Sequence, residues 1–222
     1  MAKTTKVETV TSEKIKLRGR GAFLKIDRPR PYEEGATPRW EATVLLDPAS
    51  KEGLASIRLL FDTAAQVAKK AYDGVIPLAL KKLAHTFVPG TAAPDPKTKD
   101  DGIKLAFYDG DTKEYDGFPG TLAVPAHEYE DRAKPRIVNR KGIEVEPGEE
   151  QYPYSGCEII QSVTLWCQNN KNGRRIGINL RGAQFVADGE AFGGGSEIPE
   201  DEFEALEDEG GATPEGGMDW DD

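Results

Sequence analysis

The feature of this sequence best suited to binding a ligand is a tryptophan with arginines close to it. Alternation along the chain places Trp166 opposite Gly177 or Arg175, with Asn179 and Arg181 on the same face. Glycine opposite the indole leaves the aromatic ring uncovered, and the guanidinium groups beside it attract anions. Such a surface stacks unpaired bases and neutralises phosphates, as binding of single-stranded nucleic acid requires. The alternative is that Trp166 packs under a loop or a helix.

These residues depend on a hairpin formed by residues 158–167 and 175–181. Asparagine and glycine in the connection, residues 169–173, favour the positive φ angles of a tight turn. The inward face of the two strands would be apolar and consist of Val163, Leu165, Cys167, Ile176, Ile178 and Leu180. Because side chains alternate along a strand, burial of this set leaves Trp166 on the outside.

A second group of cations lies at even positions of the first predicted strand, residues 14–26, which contains a glycine bend. Its members are Lys14, Lys16, Arg18 and Arg20. Even spacing puts them on one strand face, and Arg39 with Trp40 extends the surface after a loop rich in proline and arginine. The alternative is a charged edge that discourages pairing with other strands. Tyr154 is a further candidate that could equally belong to the core.

The acidic C-terminus is the third feature. The last 36 residues carry fourteen acidic side chains and no Lys or Arg, whereas the other 186 carry 25 acidic residues against 29 basic ones. The net charge of −10 therefore hides a mildly basic body and a strongly anionic tail. Carboxylates of the tail can occupy a phosphate-binding surface, and the alternative is a merely solubilising extension. The candidates for this regulation at the end of the chain are Met218, Asp219, Trp220, Asp221 and Asp222.

Motifs for catalysis are absent from the sequence. It has no nucleophile elbow, phosphate-binding glycine loop or metal-ligand cluster, so we expect neither an enzyme nor a cofactor. Asp109, Asp111 and Asp116 are explained more simply by Asp-Gly turns than by a metal site. Cys157 and Cys167 are interpreted as buried apolar side chains rather than as a disulfide. Neither a long apolar run nor a signal segment is present, which predicts a cytoplasmic protein without a membrane span.

The remaining pattern predicts a mainly β fold with an inserted helix. Apolar residues at three- and four-residue spacing predict that helix over residues 49–72, with Asp47-Pro48 as its start signal. A short second helix is predicted within residues 75–83. Further strands are predicted at residues 40–46, 102–108, 120–124 and 135–139. Residues 1–192 then form one domain, and residues 193–222, rich in glycine and acid, form a disordered tail.

Several segments, taken in order, resemble a known family. They are the basic first strand, the Pro/Arg loop, residues 40–46, the long helix, Tyr154-Ser-Gly-Cys157, Trp166, Gly177-Ile-Asn-Leu180, Ala183-Gln-Phe-Val186, Asp188-Gly189 and the acidic tail. Over residues 14–192 this order is similar to the bacteriophage single-stranded DNA-binding proteins of the oligonucleotide/oligosaccharide-binding (OB) fold, a phage family long catalogued as of unknown function. The final Met-Asp-Trp-Asp-Asp resembles the acidic tip of cellular single-stranded DNA-binding proteins but lacks their terminal Pro-Phe.

The resemblance implies a five-stranded Greek-key barrel with the helix as an inserted cap. It also implies a protein that coats single-stranded DNA in phage replication and recombination without sequence preference. The tail of such a protein modulates DNA binding and recruits replication or recombination proteins, and double-stranded DNA is a further ligand once the tail is removed. RNA is an alternative ligand because stacking and phosphate contacts hardly distinguish the sugars. The rival hypothesis is an interaction protein whose acidic tail mimics DNA and inhibits a host nucleic-acid enzyme. The sequence leaves the oligomeric state open.

Overall fold

A computed structural model describes residues 9–170 and 173–192 of the chain. The chain divides into two units, Met1–Phe192 and Gly193–Asp222, and the second unit lies outside the described residues. The predictions about the acidic tail therefore concern residues that the structure does not describe. Within the described part, no helix has the length and apolar character needed to cross a membrane.

Nine strands and two helices make up the described part of the chain. The strands are β1 (Val10–Thr11), β2 (Ile15–Arg30), β3 (Arg39–Leu46), β4 (Lys104–Leu105), β5 (Tyr108–Asp109), β6 (Leu122–Tyr129), β7 (Arg136–Val138), β8 (Glu158–Asn170) and β9 (Gly173–Ala187). The helices are α1 (Lys51–Ala71) and α2 (Leu78–Phe87), and both lie between β3 and β4 in the chain. A 3₁₀ turn over Gly110–Thr112 follows β5.

Five of these strands close into a barrel. β8 pairs with β2, β2 with β3, β3 with β6 and β6 with β9, and the long β8–β9 ladder returns to the starting strand. Every one of these ladders is antiparallel except β6–β9, which is parallel. The arrangement is the five-stranded Greek-key barrel of the OB fold. The predicted OB barrel, with helices inserted after its second strand, is confirmed.

Alternation of apolar residues fills the barrel. The inward set predicted for the last hairpin is confirmed, since all six of its side chains are at most 1% exposed. On β3 the inward residues are Ala42, Val44 and Leu46. The predicted glycine bend of β2 is also present, because a Cβ atom at Gly19 would lie 2.2 Å from the carbonyl oxygen of Leu45. Glycine at this position lets β2 pass from pairing with β8 to pairing with β3.

Helix α1 packs one apolar stripe against the barrel, as its spacing predicts. The predicted start signal is wrong by three residues, because Ser50 and not Asp47 is the N-cap. The Ser50 hydroxyl accepts a hydrogen bond from the Gly53 N–H at 3.0 Å, whereas Asp47 Oδ1 accepts one from Ala49 N–H in the preceding turn. The buried stripe includes Ile57, Leu60, Phe61, Ala64, Val67 and Ala68. Its packing closes one side of the core.

Other elements also differ from their predicted ranges. The second helix, predicted within residues 75–83, runs from Leu78 to Phe87. Residues 102–108 contain only the two-residue β4 and the first residue of β5. The strand predicted at residues 120–124 begins at Leu122 and continues through Pro125 to Tyr129. This longer β6 matters for the surface, because its last residues lie beside β9.

Candidate nucleic-acid interface

The outer surface of the barrel carries a row of residues that are side-by-side partners on five strands. Lys25 on β2 pairs with Glu41 on β3, which pairs with His127 on β6. His127 in turn pairs with Asn179 on β9, and Asn179 pairs with Thr164 on β8. Directly paired residues project to the same face of a sheet. We call these five residues the outer row, and the row crosses every strand of the barrel. Its last member, Thr164, is only 6% exposed and accepts a hydrogen bond from Arg181.

Trp166 lies beside the outer row, two residues along β8 from Thr164. It is half-buried, and its indole Nε1 donates a hydrogen bond to Asn179 Oδ1 at 3.0 Å. Gly177 is its partner on β9, which confirms the predicted register. A Cβ atom at Gly177 would lie 2.1 Å from the indole carbon Cζ2, so only glycine lets the ring lie against the strand. Arg175, two residues before Gly177, is exposed on the same face.

The opposite end of the outer row carries a group of charges around Glu41. The Arg39 guanidinium forms an ion pair with Glu41 and lies 4.5 Å from the ring centre of Tyr32, and Lys25 approaches Glu41 to 3.2 Å. Burial acts to raise the pKa of Glu41, but the charges of Arg39 and Lys25 outweigh burial and lower it. The carboxylate is therefore ionised at neutral pH. Tyr32 is 57% exposed, and the Glu33 carboxylate beside its hydroxyl raises the pKa of Tyr32.

The middle of the row contains two aromatic rings from β6. The ring centres of His127 and Tyr129 lie 5.2 Å apart with an interplanar angle of 81°, and the Arg132 guanidinium lies 5.8 Å from the Tyr129 ring. Burial of the imidazole, followed by the charge of Arg39, lowers the pKa of His127. The imidazole is therefore neutral at pH 7. A neutral ring between cations provides a stacking surface without adding to the positive charge.

A basic cleft continues the surface beyond Thr164. Thr164, Lys14 and Lys134 line one depression of about 420 Å³. Lys14 also lines an adjoining depression of about 400 Å³, together with Lys16 and Arg136. We call Lys14, Lys16, Lys134 and Arg136 the basic cleft. All four side chains are exposed. Lys134 and Arg136 form ion pairs with Glu146 at 3.9 Å and Glu144 at 2.6 Å, and because such exposed pairs are weak, phosphate groups can compete for these cations.

Arg181 lies between the outer row and the basic cleft and lines both depressions. Its Nη1 donates a hydrogen bond to the carboxylate of Glu128 at 2.7 Å, and its Nε donates to Thr164 Oγ1 at 3.1 Å. Glu128 is fully buried, and Arg132 approaches its other oxygen to 3.6 Å. The charge of Arg181 is thus balanced inside the protein. A contact between Arg181 and nucleic acid stays a prediction.

Two of the predicted site residues lie away from this surface. Trp40 is 8% exposed and belongs to the core, because β3 turns Trp40 inward together with Ala42 and Val44. The prediction of a surface position for Trp40 is therefore wrong. Tyr154 packs partly against the core, and its hydroxyl accepts a hydrogen bond from the Gly189 N–H at 3.1 Å. Tyr154 thereby holds the segment that follows β9.

Arg18 and Arg20 are also occupied by contacts within the protein. Arg18 forms an ion pair with Glu158 at 2.7 Å. Arg20 donates a hydrogen bond to the Glu190 carbonyl oxygen at 2.5 Å, and its guanidinium lies 3.8 Å from the ring centre of Phe192. Lys16 remains in the basic cleft. The even positions of β2 therefore divide into exposed lysines and arginines that stabilise the end of the barrel.

Among the residues at this surface that the sequence did not mark as candidates are Phe23, Lys25, His127 and Tyr129. The signal for the last two was the alternation of residues 122–129, in which Leu122, Val124 and Ala126 are buried and the intervening positions face outward. No comparable signal marked the first two, because β2 is irregular between Ala22 and Lys25.

The fold and the surface together define a class of protein. OB barrels bind oligonucleotides on the face of their second and third strands and on the adjacent loops. Here those strands are β3 and β6, which contribute Arg39, Glu41, His127 and Tyr129 to this surface. In the described part of the chain, no group of three His, Cys, Asp or Glu side chains is placed to hold a metal ion. The chain is an OB-fold protein with a nucleic-acid-binding type of surface.

Comparisons with known proteins identify the family. Residues 10–213 match the family described as "Enterobacter phage Enc34, ssDNA-binding protein". The chain belongs to this family. A putative protein, p50, of Acyrthosiphon pisum secondary endosymbiont phage 1 is 37% identical over 103 residues, which are 46% of this chain and 53% of that protein. The matched part thus spans about half the length of this curated relative.

Solved structures show the same fold. The single-stranded DNA-binding protein from bacteriophage Enc34, in complex with ssDNA, is 23% identical with a TM-score of 0.59, over 81% of this chain and 89% of that one. The single-stranded DNA-binding protein encoded by bacteriophage T7 is 14% identical with a TM-score of 0.51, over 88% of this chain and 99% of that one. At these identities the likeness concerns the fold.

Proposed function

We propose that this protein binds single-stranded DNA without sequence preference, along the outer row and into the basic cleft. The continuity of the row across the barrel, from Lys25 to Thr164 with Trp166 beside it, is the observation that supports this path. Aromatic rings accept any base, and lysines and arginines accept any phosphate, so the surface has no reason to select a sequence. Membership of a family of phage single-stranded DNA-binding proteins supports the same function.

In this proposal the protein acts by binding and not by catalysis. It protects and organises single-stranded DNA during phage replication and recombination, in the cytoplasm of the host cell. Its acidic tail competes with DNA for the positive surface and recruits replication or recombination proteins. Removal of the tail would also let double-stranded DNA bind, since phosphates are common to both forms.

Tryptophan fluorescence tests the proposed path directly. A chain ending at residue 192 retains only Trp40 and Trp166, and Trp40 is buried in the core. Titration with oligo-dT should quench the emission of Trp166, and the quenching should weaken as salt rises. For single strands the slope of log K against log salt is about −0.7 for each phosphate neutralised. Unchanged emission in both low and high salt would remove Trp166 from the path.

Removal of residues 193–222 is expected to tighten DNA binding. The deletion takes away twelve acidic side chains and no basic ones, which leaves 29 Lys and Arg against 27 Asp and Glu. Affinity for oligo-dT, measured by gel shift, should rise several-fold at about 50 mM salt and converge with that of the full chain as salt screens the tail. A full-length chain with amides in place of the twelve tail carboxylates is the matched control and should behave like the truncated chain. Equal or weaker binding after truncation would contradict competition by the tail.

A further inference from the structure

Phe23 has an unusual backbone conformation for its type. Its φ angle is +50°, in the left-handed region that favours glycine. The residue lies where β2 loses its register with β3, between the pairs Ala22–Thr43 and Lys25–Glu41. This irregularity turns the phenyl ring outward, and Phe23 is 47% exposed. Strained positions of this kind persist where the surrounding structure holds them, and they are concentrated at binding sites.

The exposed ring is held from one side by two other aromatic residues. Its centre lies 5.2 Å from that of Tyr115, edge to face at 82°, and 5.6 Å from that of Phe118. Phe118 is 1% exposed and fixes the group to the small apolar cluster on the outside of the barrel, whereas Tyr115 is 48% exposed. A ring that merely covered this cluster would not need to leave half of its surface in water.

The free side of Phe23 faces a cleft that opens on the outer row. The cleft has a volume of about 410 Å³, and its lining includes Phe23, His127, the cations Lys25 and Arg39, and the carboxylate of Glu41. This volume is within the range of sites for small organic groups. Lys25 and Arg39 both pair with Glu41, so the lining combines an aromatic wall with one excess positive charge, which matches the two parts of a nucleotide: an apolar ring and an anionic phosphate.

We propose that this cleft is a nucleotide subsite, in which one unpaired base stacks on Phe23 while Lys25 neutralises an adjacent phosphate. The inference rests on the proposed function and adds a defined position to it. Continuity with the outer row favours a nucleotide over an apolar protein segment, because Lys25 belongs to both the row and the cleft. Tyr115 acts here as a positioning residue, since its edge contact holds the Phe23 ring in place.

The test uses the full chain with Phe23→Leu, which keeps an apolar side chain and removes the aromatic ring. Affinity is measured for the shortest oligo-dT that binds as tightly as longer strands do. It is then measured for a series of strands of the same length, each with a single abasic site at a different position. The Leu variant should bind the intact strand at least about fivefold more weakly, the lower end of the effect of losing one stacked base. At one position, an abasic site should weaken binding to the parent chain and have little effect on the variant.

Two further variants keep the result interpretable. Phe23→Gly suits the positive φ angle, so it should fold well and still show the loss of affinity. Val75→Ala, at another exposed apolar side chain, is the matched control and should bind like the parent. Folding of each variant is checked by circular dichroism.

Photocrosslinking gives an independent readout. A strand with 5-iododeoxyuridine at the position sensitive to abasic substitution should crosslink to Phe23 or Tyr115 in the parent chain. Parent-like affinity of both Phe23 variants would overturn the inference. So would the absence of a crosslink to Phe23 or Tyr115 in a parent chain that still binds the strand. In either case, quenching of Trp166 by the same oligonucleotide would leave the proposed function standing. Absence of any binding by the parent chain would overturn both.

Discussion

Replacement of Arg181 by methionine is expected to lower the free energy of unfolding by about 3 kcal/mol. The Arg181 guanidinium lies 2.7 Å from the carboxylate of Glu128, which is fully buried. Methionine preserves most of the apolar stem but leaves that buried charge without its nearest partner. Because Arg132 still approaches Glu128 to 3.6 Å, the estimate is at the lower end of the cost of breaking a buried pair. Urea denaturation followed by circular dichroism measures the change.

A second substitution separates the charge effect from lost packing. Glu128→Gln in the Arg181→Met background removes the unpaired charge and should restore a large part of the stability. Arg136→Met is the matched control, because its ion pair with Glu144 is exposed and such pairs contribute at most about 1 kcal/mol. If Arg181→Met were as stable as the parent, the buried pair would not stabilise the fold. The same conclusion would follow if adding Glu128→Gln lowered the free energy of unfolding of the Arg181→Met variant further.

The hairpin of β8 and β9 is the part of the interface that could be predicted from the sequence. Its apolar residues alternate without interruption, and one face must be buried, so a shift by one residue would expose the whole apolar set. That constraint and the turn limit the partner of Trp166 to Gly177 or Arg175, and the structure shows Gly177. Local pattern and tertiary packing agree here, so the face of each strand could be derived before the fold was known.

The position of Trp40 could have been derived in the same way, but the end of β6 could not. Trp40, Ala42, Val44 and Leu46 occupy alternate positions of β3 with Glu41 and Thr43 between them, so alternation turns Trp40 inward. The surface prediction groups Trp40 with the arginines of the preceding loop instead of following this pattern. Proline is found mainly at strand ends and in edge strands, so the predicted strand ends at Val124. In the structure, Pro125 is a paired residue within β6.

The outer row itself depends on the parallel pairing of β6 with β9, which a single sequence does not reveal. His127 and Asn179 are 52 positions apart in the chain and become neighbours only when the barrel closes. The same is true of the arginines. Arg18, Arg20 and Arg181 have the right residue type for phosphate binding, but each meets an acceptor contributed by a distant segment. Exposed lysines are therefore the stronger candidates for the basic cleft, because a pair such as that of Lys134 with Glu146 at 3.9 Å is exposed and weak.

Replacement of Trp166 by alanine is expected to weaken binding of single-stranded DNA by about 1–3 kcal/mol, the effect of removing one stacking residue. The body should remain folded, because the indole lies outside the barrel core and is partly exposed. Affinity for oligo-dT, measured by gel shift or anisotropy at fixed salt, gives the change. The effect should persist at higher salt, since stacking does not depend on counterion release.

Two matched variants show whether the ring or its hydrogen bond matters. Trp166→Phe keeps an aromatic face and loses the hydrogen bond from Nε1 to Asn179, so its loss of affinity should be smaller than that of the alanine variant. Trp40→Phe alters a tryptophan of the core and should change stability more than affinity. A folded Trp166→Ala protein with parental affinity would show that DNA passes elsewhere on the barrel. The lysines of the basic cleft would then have to account for binding alone, with a correspondingly steeper dependence on salt.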